Sequence, residues 1–405
     1  MNLTGIITEY NPFHKGHLYH LKKTLETTNC DGTICIMSGN FVQRGEPALI
    51  NKWYRTEMAL KNGVDLVLEL PLIYATASAE FFAFGSVSLL NNLGVVNNLC
   101  FGSEAGDLLT LKRIASILNE EPLQYSSLLS VYLDKGLSYA NARTKAIEEY
   151  ISSYRNPLNN MKNLSEILSS SNNILAIEYL KALLKLKSNI EPFTIKRIGS
   201  SYNSKELMDL SSATSIRNHI YTQNNLEELE AFLPDTSFDI LKNFNEDDFV
   251  FSDYMVPYLK YKAITIPKNL ELIPEAKEGL HNKIIRSILN YKSLEEILLN
   301  SKSKRYALTR LKRILCAYFI CLENFPITKM RTQLCPYARV LGFNSTGKEI
   351  LKEMKKKCSV PIITKIPQNQ DIFLKLDIQG TNMYSLISNS TNYNEDYYRK
   401  PIIIK

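Results

Sequence analysis

Apolar residues in the first hundred positions fall into short strand-like blocks separated by longer stretches of helical spacing. Residues 3–8 and 33–37 read as strands and residues 17–27 as the helix between them. Pro47 is expected to open a helix that runs to about residue 62, where Gly63 stops it. The near-continuous apolar run at 64–68 predicts a strand covered on both faces. A helix over 77–93, ended by Gly94, and a fourth strand over 95–101 follow. This alternation predicts βαβ units, and so an α/β fold with a Rossmann-like, doubly wound parallel sheet. From 107 to about 187 the spacing turns helical, most clearly over 173–187 with Ser171 or Asn172 as N-cap. A fifth strand is expected over 193–197. The expected division is a first domain at 1–222 and a mostly α-helical C-terminal domain at 223–405. The latter carries a basic helix over 304–316, edge strands at 362–366 and 371–376, and a Tyr-rich tail whose packing the pattern leaves open.

Composition narrows the class. No apolar run reaches the roughly 18 residues of a membrane span, and no basic stretch precedes an apolar one at the start of the chain. Seven scattered cysteines, none in a Cys-x-x-Cys pair, point to reduced thiols and a cytoplasmic location. The net charge is +7, and the segment 281–329 holds ten Lys/Arg against three acids, a surplus equal to that of the whole chain. A basic surface concentrated in this way fits a polyanion partner, with Lys304, Arg305, Arg310 and Arg313 as candidate contacts.

Three of the five histidines lie within seven residues, His14, His17 and His20, where the first strand turns into the first helix. A helix N-terminus presents backbone N–H groups and positive dipole to an anion, and Gly16 lets a phosphate come close. His14 and His17 are the candidate catalytic donors, and Tyr10, Lys15 and His20 are secondary candidates. Spacing of three residues spreads the imidazoles by about 60° per step around a helix, so no metal site is expected. A second hydroxyl-rich helix start, Ser212-Ala-Thr-Ser-Ile-Arg217, offers Ser212 and Thr214 as phosphate donors and Arg217 to neutralise pyrophosphate. The loop after the second strand brings Gln43, Arg44 and Glu46 to the same end of the sheet, for a second substrate or the triphosphate. Gly102, after the fourth strand, is placed for close contact with a ribose or base.

These residues resemble the HxGH nucleotidyltransferase superfamily. Thr8-Glu-Tyr-Asn-Pro-Phe-His-Lys-Gly-His17, Ile36-Met-Ser-Gly-Asn-Phe-Val-Gln-Arg-Gly-Glu-Pro47, Phe101-Gly-Ser-Glu104 and Asn172-Asn-Ile-Leu175 are similar to its tRNA(Met) cytidine acetate ligase family. The resemblance implies an ATP site made of Ile7, Thr8, Glu9, Tyr10, Asn11, Pro12, Phe13, His14, Lys15, Gly16, His17, Leu18, Tyr19 and His20, with Gly102, Asn172 and Arg197. Between Asn172 and Asn173 the resemblance does not choose. It further implies ATP as substrate with Mg2+, acetate activated as acetyl-adenylate, and acetyl transfer to the wobble cytidine of elongator tRNA(Met). The basic C-terminal helix would hold the anticodon arm. The competing expectations are a small-metabolite adenylyl- or cytidylyltransferase and a non-catalytic RNA-binding protein on the same fold. Tyr10, Asn11 and Asn40 are acetate-pocket candidates by location alone.

Overall fold

The computed structural model describes residues 1–137, 139–153, 164–197, 212–223, 225–303 and 306–405. Ten strands are present among them: β1 Leu3–Thr8, β2 Gly32–Ser38, β3 Phe41–Val42, β4 Glu46–Pro47, β5 Leu66–Leu70, β6 Asn98–Ser103, β7 Glu191–Lys196, β8 Ala338–Phe343, β9 Ile362–Ile363 and β10 Ile402–Ile403. Eight of these form one sheet in the order β10-β8-β5-β2-β1-β6-β7, with β9 beside β8, while β3 and β4 form a separate hairpin. β5, β2, β1, β6 and β7 all run parallel. The chain builds outward from β1 through β2 to β5, then crosses to the far side of β1 for β6 and β7. In doubly wound sheets such a reversal marks the crevice, beyond the carboxyl ends of the strands, where ligands bind; here it falls at β1 and β6.

The apolar periodicity explains the layers. Ile34 and Ile36 of β2 face one buried cluster, and Cys35 and Met37 face the other, so the sheet is covered on both sides. Helices Lys15–Thr28, Lys52–Lys61, Ala79–Asn92 and Ser171–Lys185 supply these covers.

Two expectations are corrected and a third is extended. Pro47 does not open a helix: it pairs with Phe41 in the β3–β4 hairpin, and the helix starts later, where the Asn51 side chain accepts from Trp53 N and Tyr54 N. Residues 371–376 are not a strand, because Asp371 caps the helix Ile372–Ser385 by accepting from Leu374 N. The C-terminal part is helix-rich, but it also gives the sheet β8, antiparallel to β5, and β10, parallel to β8. The tail therefore packs back on the core.

A buried charge cluster joins this C-terminal strand to the rest of the sheet. Lys52 Nζ lies 2.8 Å from both Glu69 Oε1 and Asp396 Oδ1, and Arg339 reaches Glu69 at 3.0 Å and Asp396 at 2.8 Å. All four side chains are almost wholly enclosed. Beside them Asp377 accepts from Leu72 N and the Tyr337 hydroxyl, and burial with Glu69 nearby pushes its carboxyl up to about 8. No helix among the described residues is long and apolar enough to cross a membrane.

Candidate active site

β1 ends in a sharp turn. Tyr10 takes a left-handed backbone (φ 47°) and the Asn11–Pro12 peptide is cis, so the chain reverses directly into the first helix. His14 is that helix's N-cap: its Nδ1 accepts the Gly16 N–H at 3.0 Å, while His17 Nδ1 receives the His14 N–H at 3.3 Å. The two rings lie 3.8 Å apart at 37°, and Tyr10 edges against His17 at 4.9 Å. With Nδ1 accepting, the neutral His14 ring carries its proton on Nε2, which has no partner among the described residues.

All three imidazoles are held neutral at pH 7. Burial, with Arg197 and Arg217 nearby, lowers His14 to about 3. Burial, His14 and Arg197 hold His17 well below its ordinary value, and burial with Arg197 lowers His20 to about 4. Burial is the larger cause, and the arginines add positive charge close to the rings. Arg197 follows β7, directly beside Gly102 of β6, and has no ion-pair partner among the described residues. Arg217 lies on the helix Ala213–Gln223, where the Ser212 hydroxyl accepts from Ser215 N. Its Nη1 donates to Asn11 O at 2.8 Å, which ties the second motif to the first, and its Nη2 reaches Thr214 Oγ1 at 3.4 Å and Glu46 Oε2 at 3.6 Å.

The hairpin loop closes one side. Glu9 Oε1 accepts from Gln43 N at 2.8 Å, and burial raises the Glu9 carboxyl against the pull of Arg217 and Arg44. Arg44 is exposed, and Gln43 Nε2 donates to Ala77 O. Asn11 Oδ1 accepts from Leu49 N, so part of its side chain fixes this loop. Asn40 is similarly engaged, accepting from Lys52 N at 2.8 Å.

Several sequence candidates have structural partners. Lys15 is exposed and donates to Ala231 O at 2.7 Å. Asn173 is buried and its Oδ1 accepts from Ala105 N, whereas Asn172 is half-buried and donates through Nδ2 to Glu104. Glu104 is therefore the cap of the helix Ser171–Lys185, receiving Asn172 N and Asn173 N as well. Ile7 and Thr8 end β1, Leu18 and Tyr19 are half-buried on the first helix, and Phe13 is enclosed beneath it. In the basic segment, Lys304 and Arg305 lie outside the described residues. Arg310 donates through Nε and Nη2 to Glu275 O, and Arg313 is half-buried.

One anchor had no signal in the sequence. Arg55, wholly buried, donates to the carbonyls of Glu9, Ser38, Gly39 and Ile50, so a single guanidinium pins the turns after β1 and β2. A charged residue within an amphipathic helix gives no sign from its neighbours that it faces inward.

A family model described as HIGH Nucleotidyl Transferase matches residues 1–399. The tRNA(Met) cytidine acetate ligase of Clostridium novyi (strain NT) is 54% identical over 407 residues, covering 100% of both chains. The chain belongs to the tRNA(Met) cytidine acetate ligase family. Another ligase of this name, from Clostridium kluyveri, is 51% identical and covers 100% of this chain and 99% of its own. Among solved structures, Thermotoga maritima TmcAL in its apo form is 38% identical with a TM-score of 0.89, each chain covered in full. The same protein bound with alpha-thio ATP matches at 37% identity and a TM-score of 0.87, again over the full length of both. Membership in the ligase family accounts for a nucleotidyltransferase crevice and a long C-terminal region in one chain.

Proposed function

We propose that this chain is an ATP-dependent ligase that joins acetate to the N4 amine of the wobble cytidine of elongator tRNA(Met). The observation that carries the reading is the neutral His14–His17 pair at a helix start, faced by Arg197 and Arg217. Cations crowd this crevice more densely than its carboxylates can balance, and a triphosphate supplies the missing negative charge. A relative whose solved structure holds an ATP analogue, at full coverage, supports the same ligand.

In the first step an acetate oxygen attacks the α-phosphorus and the bond to the β-phosphate oxygen breaks, giving acetyl-adenylate and pyrophosphate. The protein's share of such a step is alignment and stabilisation of charge. The His14 Nε2–H donates to a phosphoryl oxygen, joined by the His17 ring as it exchanges its hydrogen bond to the Pro12 backbone for the phosphate, and a neutral ring does so without forming a lasting ion pair. Gly16 and the first turn of the helix add backbone donors. Arg217, beside Ser212 and Thr214, neutralises the departing pyrophosphate, and Arg197 with Gly102 and Asn172 lines the nucleoside side. In the second step the cytidine amine attacks the acetyl carbonyl and AMP leaves. An aromatic amine is a weak nucleophile, which is why the carboxylate must first gain a good leaving group. Gln43, Arg44 and Glu46 border the face from which this second substrate approaches.

A protein-held Mg2+ does not fit these residues. Glu9 accepts from Gln43 N, Glu46 is paired with Arg217 and Lys312, and no group of three His, Cys, Asp or Glu suited to a metal occurs among the described residues. Magnesium usually keeps several waters and binds through substrate phosphates, so it belongs to the nucleotide here. The basic segment 281–329 is the proposed seat of the tRNA, held mainly through its phosphates.

The test is mass spectrometry of tRNA nucleosides after incubation with ATP and labelled acetate, alongside pyrophosphate–ATP exchange. Labelled N4-acetylcytidine and exchange that requires acetate are expected. Exchange that ignores acetate but requires a phosphorylated metabolite would replace this reading with a small-molecule nucleotidyltransferase.

A further inference from the structure

We propose that Lys312 is a positioning residue for acetate activation, acting through Glu46 on Arg217; the proposal rests on the ligase reading for the role of Arg217. Lys312 belongs to the helix Leu308–Phe319, in the segment whose charge pointed to a polyanion. The structure aims it at the crevice instead.

Two contacts seat the β3–β4 hairpin on this helix. At the hairpin tip Gly45 has φ +76°, and a Cβ there would fall 2.4 Å from Arg313 N, so only glycine lets hairpin and helix backbone meet. At the next residue, Glu46 Oε1 is paired with Lys312 Nζ, across 266 positions of sequence. The other oxygen, Oε2, lies 3.6 Å from Arg217 Nη2. The three side chains are 14%, 28% and 17% exposed for Glu46, Lys312 and Arg217, so water screens these charges only in part.

One carboxylate is thus shared by two cations. The ammonium draws Oε1 toward the C-terminal helix and leaves Arg217 a looser contact with Oε2. The Arg217 fork is then free to donate to Asn11 O, at the foot of the histidine turn. Without the ammonium, Glu46 has a single cation and closes on Arg217 as a bidentate pair, the geometry that guanidinium and carboxylate favour. Arg217 would then be withdrawn from an incoming triphosphate. Lys312 therefore keeps Arg217 available to nucleotide, and the C-terminal helix takes part in activation with no tRNA present.

The test uses the full-length protein without tRNA. ATP affinity is measured by calorimetry, and KM for ATP and kcat by acetate-dependent pyrophosphate exchange, with thermal melts to check folding. Lys312→Met is expected to raise the ATP Kd and KM about tenfold with kcat changed far less. Lys312→Arg, which keeps the ion pair, should stay near wild type. Adding Glu46→Gln to Lys312→Met removes the charge that would trap Arg217, and should restore ATP affinity to within about threefold of wild type. A Lys312→Met protein that binds ATP as wild type does overturns the proposal. So does a loss that Glu46→Gln leaves unrelieved, since that would mark Lys312 as structural support only. If the wild type binds ATP but shows no acetate-dependent exchange, the ligase reading fails while the affinity comparison still judges Lys312.

Discussion

Two groups of polar residues lie in the same fold and differ in burial and in charge balance. Around Lys52, Glu69, Arg339 and Asp396, two cations meet two anions, and each cation touches both anions at 2.8–3.0 Å. Around His14, His17, His20, Arg197 and Arg217, the carboxylates that reach the crevice are already engaged: Glu9 with Gln43 N, and Glu46 shared with Lys312. The first group is electrically closed and joins a C-terminal strand to the sheet. The second is open: burial, with Arg197 and Arg217 adding to it, holds its histidines neutral and leaves no imidazolium in the group. Fully paired buried charge is costly to break, whereas a cationic excess beside a crevice, from half-buried Arg217 and exposed Arg197, marks where a ligand's charge belongs.

The sharpest break in this contrast is Asp396→Ala. It strands Lys52 and Arg339 with one carboxylate between them, and a stability loss of about 3–5 kcal/mol is expected. Urea unfolding measures it, and a loss below about 1 kcal/mol would mean that the cluster is not a closed unit.

Next in size is the effect of His17→Ala on chemistry. Exchange should fall about 10²–10³-fold, the usual cost of removing a preorganised donor, with no more than about 1 kcal/mol of stability lost with the bond its Nδ1 accepts from His14 N. His14→Ala should match it in exchange and also lose about 1 kcal/mol of stability as a helix cap. Equal damage to stability and exchange in both variants would turn the open cluster into a second structural one.

A smaller, graded effect is expected with pH. The folded-state pKa values of the three histidines are depressed, so between the ordinary value of about 6.5 and the folded values the unfolded chain binds more protons. Their neutral burial therefore favours folding fully above that ordinary value, and the advantage is lost as pH falls toward about 4 for His20 and about 3 for His14. Urea midpoints measured between pH 7 and pH 4.5 should fall, and less steeply in a variant with Gln at all three positions. An identical slope in that variant would remove the histidines from the account.

The smallest expected effect on activation comes from Lys304→Ala with Arg305→Ala. Affinity for tRNA should drop and the slope of log K against log salt should shrink by about two, roughly one per lost phosphate contact. Acetate-dependent exchange without tRNA should not change. If exchange falls as it is expected to for Lys312→Met, then the whole basic segment, not Lys312 alone, serves activation.

Much of the crevice was legible because its signals are local. A strand, a cis-proline turn and a His-x-Gly-His helix start occupy residues 3–17 without a break, and periodicity located β1, β2, β5, β6 and β7 to within a few residues. β8 was not legible: its six residues carry Arg339, which reads as a surface position until Glu69 and Asp396 are seen beside it. Residues 371–376 alternate like a strand, yet Asp371 commits them to a helix through its cap. Beside Gly102, the Glu104 carboxylate accepts from Asn172 N and Asn173 N, a pairing across 68 and 69 positions that gives no local signal.

By itself the sequence determined the parallel βαβ core, the histidine turn and the family to which the chain belongs, because each depends on residues close together along the chain. Tertiary structure alone decided which charges are compensated. It paired Lys312 with Glu46, enclosed Arg55 against four carbonyls, and set Arg197 and Arg217 against imidazoles far away in sequence. A side chain's charge is written in its identity, but its energetic effect depends on the distance and solvent exposure of its partners, and those exist only once the chain has folded.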